Sequence, residues 1–511
     1  MLAGQFGATR TLDVYYAAFR IPDLVYNLLI VGAVSSAFLP VFYEYLTKDK
    51  DEAWRFAANA LNILIFALLI FSGILILFAP QLVFLMAPGF DSASKELTVN
   101  ISRFLFLSPL LLGISALAAA LLQAFSRFLI TSLAPIFYNL GIIFGIVFLA
   151  PRYGIWGLAY GVVLGALLHF LIQAPSLINI GFRFRGLLNF KERGLVKVIK
   201  LWLPRTLSLF ALQINSVVLT AVASVLAIGS ITIYNFADNL RWVPIGIVGA
   251  AFSTAAFPAM SLAYAQGKKD LFLKRFSLAV RQTFFIVFPF SLMFFVFRDE
   301  IVRIIFGTGQ FSAQDVRLTA AVLGIFSFGI FASALLLLFT RAFFAFHNTK
   351  TPVFINIFSA LISIFLAVVF TRFFSVHTST PPILGLALAV TVSGIINLAW
   401  HWIDLKKYVG DFGISEIKKS ILKIMTASAV SVVCAYVGLY FLNNIFNTRA
   451  VLGLFLQTSG AFIIAAFSYL TAAFILKSEE ILMLNMPAAL LNWRGIKNPE
   501  PIPGESLDDQ Y

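Results

Sequence analysis

Apolar stretches long enough to cross a membrane recur along almost the whole chain. About 20 apolar residues span the hydrocarbon core as a helix, which bonds all of its own backbone polar groups there. The chain of 511 residues is 60% apolar and only 12% charged, whereas soluble domains are about half apolar and a quarter charged. These features predict an all-α polytopic membrane protein. The thirteen candidate spans are 14–42, 57–80, 103–125, 130–150, 155–178, 203–227, 231–260, 278–297, 319–340, 352–373, 382–403, 420–442 and 450–476.

The positive charges fall mostly in alternate loops between these spans. In a soluble chain a net charge of +14 would suggest a nucleic-acid partner. Here one set of alternate loops, with the C-terminal tail, holds 23 Lys and Arg residues, and the other set holds 9. Cytoplasmic loops of membrane proteins carry the excess of Lys and Arg. We therefore expect the C-terminus to be cytoplasmic, Met1 to lie outside, and no nucleic acid to bind.

The chain contains an internal repeat. The stretch IVGAVSSAFLP at 30–40 returns as IVGAAFSTAAFP at 247–258, and PIFYN at 135–139 returns as PVFIN at 352–356, both 217 residues later. The matched segments are expected to lie on the same side of the membrane in both copies. The repeat therefore predicts two parallel six-helix lobes, an architecture of transporters. The predicted parts are an N-terminal lobe at 1–182, a cytoplasmic amphipathic connector at 183–202 that looks like a surface helix, a C-terminal lobe at 203–403, two extra transmembrane helices at 404–476 and a cytoplasmic tail at 477–511.

Several motifs resemble one family of membrane proteins. The opening FGATRTLDVYYAAFRIPDLVYNLLIVGAVSSAFLPVF, the loop MAPGF at 86–90 and RFLITSLAPIFYN at 127–139 are similar to the MurJ/MviN family of lipid II flippases. So is FGTGQFSAQD, followed by RAFFAFHNTKTPV at 341–353. The resemblance runs in order from about residue 6 to residue 403. The family has fourteen helices, and the repeat places the counterpart of the helix at 203–227 before Met1, so the first lobe is expected to lack its first helix.

The resemblance implies a function within a bacterial inner membrane. The substrate would be lipid II, the undecaprenyl-diphosphate-linked disaccharide-pentapeptide precursor of peptidoglycan. The protein would move lipid II from the inner to the outer leaflet by alternating access. A cationic cavity between the lobes would hold the diphosphate and sugars, and a groove at the last two helices would hold the lipid tail. Membrane lipids are the other expected partners, and the sequence leaves the oligomeric state open.

Ionisable residues in the first span are candidates for the substrate path, because charges within a membrane are costly and usually functional. Asp13 matches a functionally important aspartate of the family, and its alternative role is a helix N-cap. Arg20 stands where the family commonly has a basic residue, and arginine can grip a diphosphate with two parallel hydrogen bonds. Pro22 is expected to break the helix and free backbone groups. Asp23 is a further candidate that could simply pair with Arg20.

A second set of candidates lies at the start of the second lobe. Arg205 follows a proline at the cytoplasmic entrance of a span, where it could serve the cavity or snorkel to the interface. Asp238, Asn239 and Arg241 occupy the region of FADNLRWVP. Asp238 and Arg241 are three residues apart and can meet on one helical face, so a structural ion pair is the alternative to a substrate contact.

The chain departs from the family pattern at two arginine positions. Tyr26 and Asn239 stand where the family usually shows arginine. Arg241 could replace the second, but it lies two positions along, which turns it through about 200° on a helix. Contacts to the substrate head group are therefore expected to differ from those of the family, and the identity of the lipid-linked substrate is open.

An ion site is supported only by uncharged polar residues. Some members of the family hold sodium between helices of the second lobe through carboxylates, yet no Asp or Glu lies in the spans 352–373 and 382–403. No cofactor is expected, and sodium, a proton or the membrane potential remains a possible driving force. The candidates for this ion site are Gln213, Asn215, Asn356 and Thr391, of which the first two could equally be hydrogen-bond links between helices.

Other functional classes have less support in the sequence. A relative exporting another undecaprenyl-linked glycan or an amphiphilic drug is the main alternative, although a drug exporter more often shows a buried carboxylate than a set of arginines. An intramembrane enzyme needs catalytic carboxylates or metal ligands, and the chain has four His, one Cys and only scattered acids in its external loops. A channel is weaker still, since no selectivity-filter motif is visible. The sequence therefore predicts a flippase that is not an enzyme and has no metal site.

Overall fold

The computed structural model describes residues 1–31 and 37–484, without the side chains at 31, 204, 205, 207–209, 211, 212 and 482–484. Within these residues the protein is all-helical, as the apolar pattern predicts. The α-helices are α1 (Leu2–Phe6), α2 (Arg10–Val25), α3 (Leu39–Leu46), α4 (Lys50–Leu77), α5 (Ala79–Met86), α6 (Ser92–Leu105), α7 (Leu107–Ala124), α8 (Phe128–Phe144), α9 (Ala150–Tyr153), α10 (Ile155–Leu171), α11 (Ala174–Asn179), α12 (Arg193–Ser224), α13 (Ser230–Pro244), α14 (Ala250–Ala265), α15 (Lys269–Val296), α16 (Arg298–Phe306), α17 (Ala313–Ala345), α18 (Lys350–His377), α19 (Ile383–Val409), α20 (Ile414–Asn443) and α21 (Val451–Ile475).

Eleven helical segments within the described residues are long and apolar enough to cross a membrane. Each overlaps one of the predicted spans. The other two predicted spans, 14–42 and 203–227, include residues or side chains that lie outside the description. Several helices extend beyond the predicted ends, since hydropathy marks the depth of the hydrocarbon whereas helical hydrogen bonding continues into the polar boundary. The chain is a multi-pass membrane protein.

The order of the helices repeats along the chain. Helices α4 and α15 each have 28 residues, and a short helix, α5 or α16, follows each of them. Next, α6 and α7 together cover 33 residues, the length of α17. π-helical turns lie at Tyr26–Val31 and Ile245–Gly249, which overlap when shifted by the repeat offset of 217 residues. Both copies therefore carry a widened helical turn at the same place.

The connector between the predicted lobes does not form the separate surface helix that its amphipathic pattern suggested. Residues 182–192 are not helical, and α12 begins at Arg193. Polar groups fasten this segment to α4 instead: Asn59 donates to the carbonyl of Asn189 at 2.9 Å and accepts from its N–H at 2.8 Å. Arg185 also reaches Asp51 at 2.8 Å. These bonds satisfy the backbone of an extended segment, so it needs no helix of its own.

The chain divides into two compact units by its contacts. Unit 1 comprises Met1–Ala237, Ile305–Val322 and Val353–Ser393; unit 2 comprises Asp238–Ile304, Leu323–Pro352 and Gly394–Tyr511. These units are not the two sequence copies, and the predicted lobe boundaries at 1–182 and 203–403 stay a prediction.

Glycines bring α8, together with the π-helical turn Gly145–Leu149 that continues it, into close contact with α10 in unit 1. A Cβ atom at Gly145 would lie 2.4 Å from the Cα of Gly161, and one at Gly141 would lie 2.3 Å from the Cα of Gly165. Small residues four apart on both helices let their backbones touch, which is a common basis of helix association in membranes. The contact fixes the two helices that carry Tyr138 and His169.

Unit 2 shows how a proline within a helix is accommodated. Pro289 of α15 has no N–H and leaves the carbonyl of Phe285, four residues earlier, without its helical partner. The hydroxyl of Tyr469 on α21 donates to this oxygen at 2.7 Å. The bond ties one of the two extra C-terminal helices to α15.

A short segment after α21 is also fastened within unit 2. The 3₁₀ helix Glu479–Leu484 places the carboxylate of Glu480, which is only 3% exposed. Its partners are the Arg281 guanidinium at 3.3 Å and the hydroxyls of Ser420 and Ser478. Only the start of the predicted tail 477–511 is therefore seen, and residues 485–511 lie outside the description.

Candidate functional site

Asp13 accepts hydrogen bonds from the start of a distant helix. The carboxylate is 1% exposed and accepts from the N–H of Gly229 at 2.7 Å and from the N–H and hydroxyl of Thr232, both at 2.9 Å. Arg10 approaches the same carboxylate to 4.0 Å. Asp13 thus caps α13 and not its own helix, α2, whose N-cap is Thr9. A carboxylate is favourable at a helix N-terminus because the exposed N–H groups and the helix dipole attract negative charge.

Arg20 is held by two neutral side chains. Its Nε donates to the hydroxyl of Thr220 and its Nη2 to the amide oxygen of Asn235, each at 2.9 Å. Both partners are themselves fixed, because Thr220 donates to the carbonyl of Ser216 and Asn235 to that of Ile231. The half-buried guanidinium therefore has a defined orientation, and its charge is not neutralised by an ion pair within the described residues.

Pro22 frees a backbone group but does not break the helix. α2 continues through Pro22 to Val25 and then widens into the π-helical turn. The carbonyl of Ala18, four residues before the proline, accepts a bond from the hydroxyl of Ser102 at 2.9 Å. The predicted break is wrong because one side chain from α6 replaces the missing hydrogen bond.

Asp23 lies on a cavity within unit 1 and forms no ion pair with Arg20 in the described structure. The cavity has a volume of about 250 Å³ and lies between α2, α7, α8 and α10. Its polar lining is Asp23, Tyr26, Ser108, Tyr138 and His169. The arrangement places one carboxylate among hydroxyl groups and an imidazole.

Arg241 forms the structural ion pair with Asp238 that was the alternative to a substrate contact. Its Nε donates to Asp238 at 2.6 Å, and its guanidinium carbon lies 4.5 Å from the centre of the Phe326 ring. Arg241 is 9% exposed, whereas the side chain of Asn239 is exposed. The two positions therefore lie on different faces of α13, and Arg241 does not occupy the place of an arginine at 239.

The other predicted site residues are less informative. The side chain of Arg205 lies outside the description. Asn215 keeps an amide oxygen that is buried and has no hydrogen-bond partner among the described residues, so the proposed link between helices is not seen there. Gln213 and Asn356 are half-buried and Thr391 is buried. No group of three His, Cys, Asp or Glu side chains able to hold a metal ion occurs in the part of the chain that the structure describes.

The sequence prediction missed the partners of these charged groups. Thr220, Thr232 and Asn235 fix Arg20 and Asp13, and Tyr138 and His169 complete the cavity around Asp23. No spacing in the sequence identifies them, since the pairs are separated by more than 100 residues. The one available signal was the presence of a histidine and tyrosines within apolar spans.

The family model and the related proteins that match this chain all point to the same family. The family described as lipid II flippase MurJ matches residues 2–459. A probable lipid II flippase MurJ of Vibrio cholerae serotype O1 is 30% identical over 413 residues, covering 78% of this chain and 77% of its own. A probable lipid II flippase MurJ of Buchnera aphidicola subsp. Schizaphis graminum is 29% identical over 448 residues, 86% of each chain. The lipid II flippase MurJ of Burkholderia cenocepacia is 28% identical over 418 residues, 80% of this chain and 79% of its own.

Solved structures agree at the level of the fold. A lipid II flippase MurJ in an inward closed conformation has a TM-score of 0.75 at 23% identity, covering 93% of this chain and 94% of its own. An inward-facing multidrug resistance MATE family transporter of the MOP superfamily has a TM-score of 0.64 at 15% identity, covering 82% and 93%. The fold is thus shared with both of these proteins. The match to the family model over residues 2–459 shows that the chain belongs to the lipid II flippase MurJ family.

Proposed function

We propose that the chain moves lipid II from the inner to the outer leaflet of the bacterial inner membrane by alternating access of a cationic cavity, and that it makes no chemical change to the substrate. The family supports this substrate class. The undecaprenyl chain can stay in lipid while the diphosphate, sugars and peptide require a polar path, because ionic groups are costly in hydrocarbon.

The observation that best supports the proposal is the environment of Arg20. Its two hydrogen-bond partners are neutral, so they orient the guanidinium without cancelling its charge. A fixed arginine is suited to a diphosphate, which it can bind through two N–H groups at once. Arg241 lacks this property, because Asp238 already neutralises it at 2.6 Å. Of these two arginines, Arg20 is therefore our candidate for head-group binding.

The lipid tail needs an apolar surface, and the two extra helices offer one. α20 and α21 pack together in unit 2 and expose large apolar side chains such as Leu422, Val433 and Phe467. We place the tail along these helices and the C-terminus in the cytoplasm, in accord with the excess of Lys and Arg in the loops on that side. Sodium, protons or the membrane potential would supply the driving force.

The test measures lipid II in the outer leaflet. A bacterium depleted of its resident flippase expresses this chain, and labelled lipid II is probed with an enzyme that acts only from outside. We expect wild-type protein to restore access. Arg20→Ala should abolish it, and Arg20→Lys should restore it only in part, because lysine keeps the charge but not the fork. The control is Arg152→Ala, an exposed arginine at the end of α9.

Two results would contradict the proposal. If the inserted wild-type protein leaves lipid II inaccessible, the substrate is another undecaprenyl-linked glycan or an amphiphilic drug, and each can be tested in the same cells. If Arg20→Ala restores access as fully as Arg152→Ala does, the head group does not depend on Arg20.

A further inference from the structure

The cavity around Asp23 contains a carboxylate without a direct hydrogen-bond or ion-pair partner. No hydrogen bond or ion pair of the Asp23 carboxylate occurs among the described residues, and the side chain is half-buried against the cavity. Arg20 stands one turn earlier on α2, where a side chain three positions away can pair. Two of its N–H groups instead donate to Thr220 and Asn235, and the guanidinium attracts the Asp23 carboxylate without a direct contact. Arg20 therefore leaves the carboxylate oxygens without a hydrogen bond.

The imidazole on the cavity wall contacts other groups and forms no ion pair with Asp23 within the described residues. The Oγ of Ser115 lies 2.6 Å from Nδ1 of His169, accepts from Gln173 at 2.7 Å and donates to the His169 carbonyl at 3.1 Å. Nδ1 is therefore engaged by Ser115 and not by the Asp23 carboxylate.

The remaining groups are oxygen donors. Tyr26, Tyr138 and Ser108 line the cavity with hydroxyls. Carboxylate and hydroxyl oxygens suit hard cations. A single carboxylate balances one positive charge, and no cluster of three His, Cys, Asp or Glu side chains is present in the described residues to favour a divalent ion. A volume of about 250 Å³ accommodates such an ion together with water.

We infer that this cavity, within the first repeat, binds one monovalent cation on the carboxylate of Asp23. The cation is either sodium or a proton, since each neutralises the charge that would otherwise be left in a membrane-embedded cavity. The site is separate from the uncharged positions Asn356 and Thr391 considered for sodium in the second copy. Cation binding stands on the cavity alone; its use to drive transport rests on the proposed function.

The test is a stability measurement on the purified full-length protein in detergent. Thermal midpoints are compared in sodium chloride and in choline chloride at equal ionic strength, and across pH 5 to 8, for wild type, Asp23→Asn and the exposed control Asp299→Asn. A ligand that binds only the folded state raises its stability in a saturable way. We expect sodium to raise the midpoints of wild type and Asp299→Asn, and to leave that of Asp23→Asn unchanged. Asp23→Asn should also be at least as stable as wild type in choline, because it buries no charge.

The other outcomes are equally informative. If sodium has no effect but the wild-type midpoint falls with rising pH more steeply than that of Asp23→Asn, the cation is a proton. The ionisable neighbours of Asp23, namely Tyr15, Arg20, Tyr26, Tyr138 and His169, are unchanged in that comparison. If wild type and Asp23→Asn respond alike to sodium and to pH, the inference is overturned.

A second variant covers the case in which Asp23→Asn does not fold. Tyr138→Phe removes one hydroxyl from the cavity and leaves all charges in place. It should shift the half-effective sodium or proton concentration about tenfold, the effect of losing one contact of about 1.4 kcal/mol. An unchanged half-effective concentration would contradict the site. None of these readouts uses lipid II, so a failure of flipping and a failure of cation binding are distinguished.

Discussion

Asp13 offers the sharpest test of the fold, because one carboxylate holds two backbone N–H groups and a hydroxyl at the start of α13. Asp13→Ala leaves the N–H groups of Gly229 and Thr232 without an acceptor in a buried place. Each unsatisfied buried donor costs about 1–3 kcal/mol, so we expect a loss of about 4 kcal/mol in the free energy of unfolding. The Thr232 hydroxyl can turn to another acceptor and adds little.

Asp13→Asn should cost less, and the difference reports on the geometry. The amide keeps one acceptor oxygen for Thr232, but its NH₂ group then faces the N–H of Gly229. One donor is left unbonded and the attraction of a charge to the helix N-terminus is lost, which together amount to about 2 kcal/mol. The order of stability is therefore wild type, Asn, then Ala.

The assay is a titration of unfolding in mixed detergent and SDS micelles, followed by tryptophan fluorescence. Asp299→Ala, which removes an exposed carboxylate paired with Arg298 at 3.6 Å, should lie within about 0.5 kcal/mol of wild type. If Asp13→Ala were no less stable than Asp299→Ala, the cap would contribute nothing and the reasoning would be refuted.

Three further substitutions test other contacts. Tyr469→Phe leaves the Phe285 carbonyl unbonded and should cost about 1–2 kcal/mol in the same titration; an unchanged free energy would mean that water replaces the hydroxyl. Gly145→Ala forces α8 away from α10 and should cost about 1–3 kcal/mol, whereas Gly73→Ala, which meets open space, should be neutral or stabilising. Glu480→Gln weakens the tie of the segment after α21 and should speed its cleavage by an added protease; equal cleavage rates would contradict that tie.

The spans could be predicted from the sequence because a membrane imposes one rule on every segment. About 20 apolar residues are needed wherever the chain crosses, so the eleven spans found in the described residues were all visible in advance. Helix ends were less predictable. α17 begins at Ala313, before the predicted start at 319, since Asp315 and Arg317 are polar yet helical. The prediction of a surface helix in the connector was wrong for a related reason. The amphipathic pattern of the connector does not reveal that Asn59 binds its backbone.

Only the charged residues of the candidate site were predicted from the sequence. Asp13, Arg20 and Asp23 were identifiable because ionisable groups are rare inside membranes. Their roles depend on residues far along the chain: Asp13 caps α13 through Gly229 and Thr232, and Arg20 is held by Thr220 and Asn235. Such contacts follow from the packing of helices, which local pattern does not encode.

The π-helical turns suggest an order of events in the history of the chain. A widened turn lies at Tyr26–Val31 and again at Ile245–Gly249, the equivalent place in the second copy. A third lies at Gly145–Leu149, and α18, its counterpart by order, has none. The shared irregularity is most simply inherited from the single ancestral unit, before the duplication, while the third arose or was lost in one copy afterwards. The shared turn therefore does not depend on residues that only one copy has. Asp23 is such a residue, because the repeat offset aligns it with Leu240, and its carboxylate is a specialisation of the first copy.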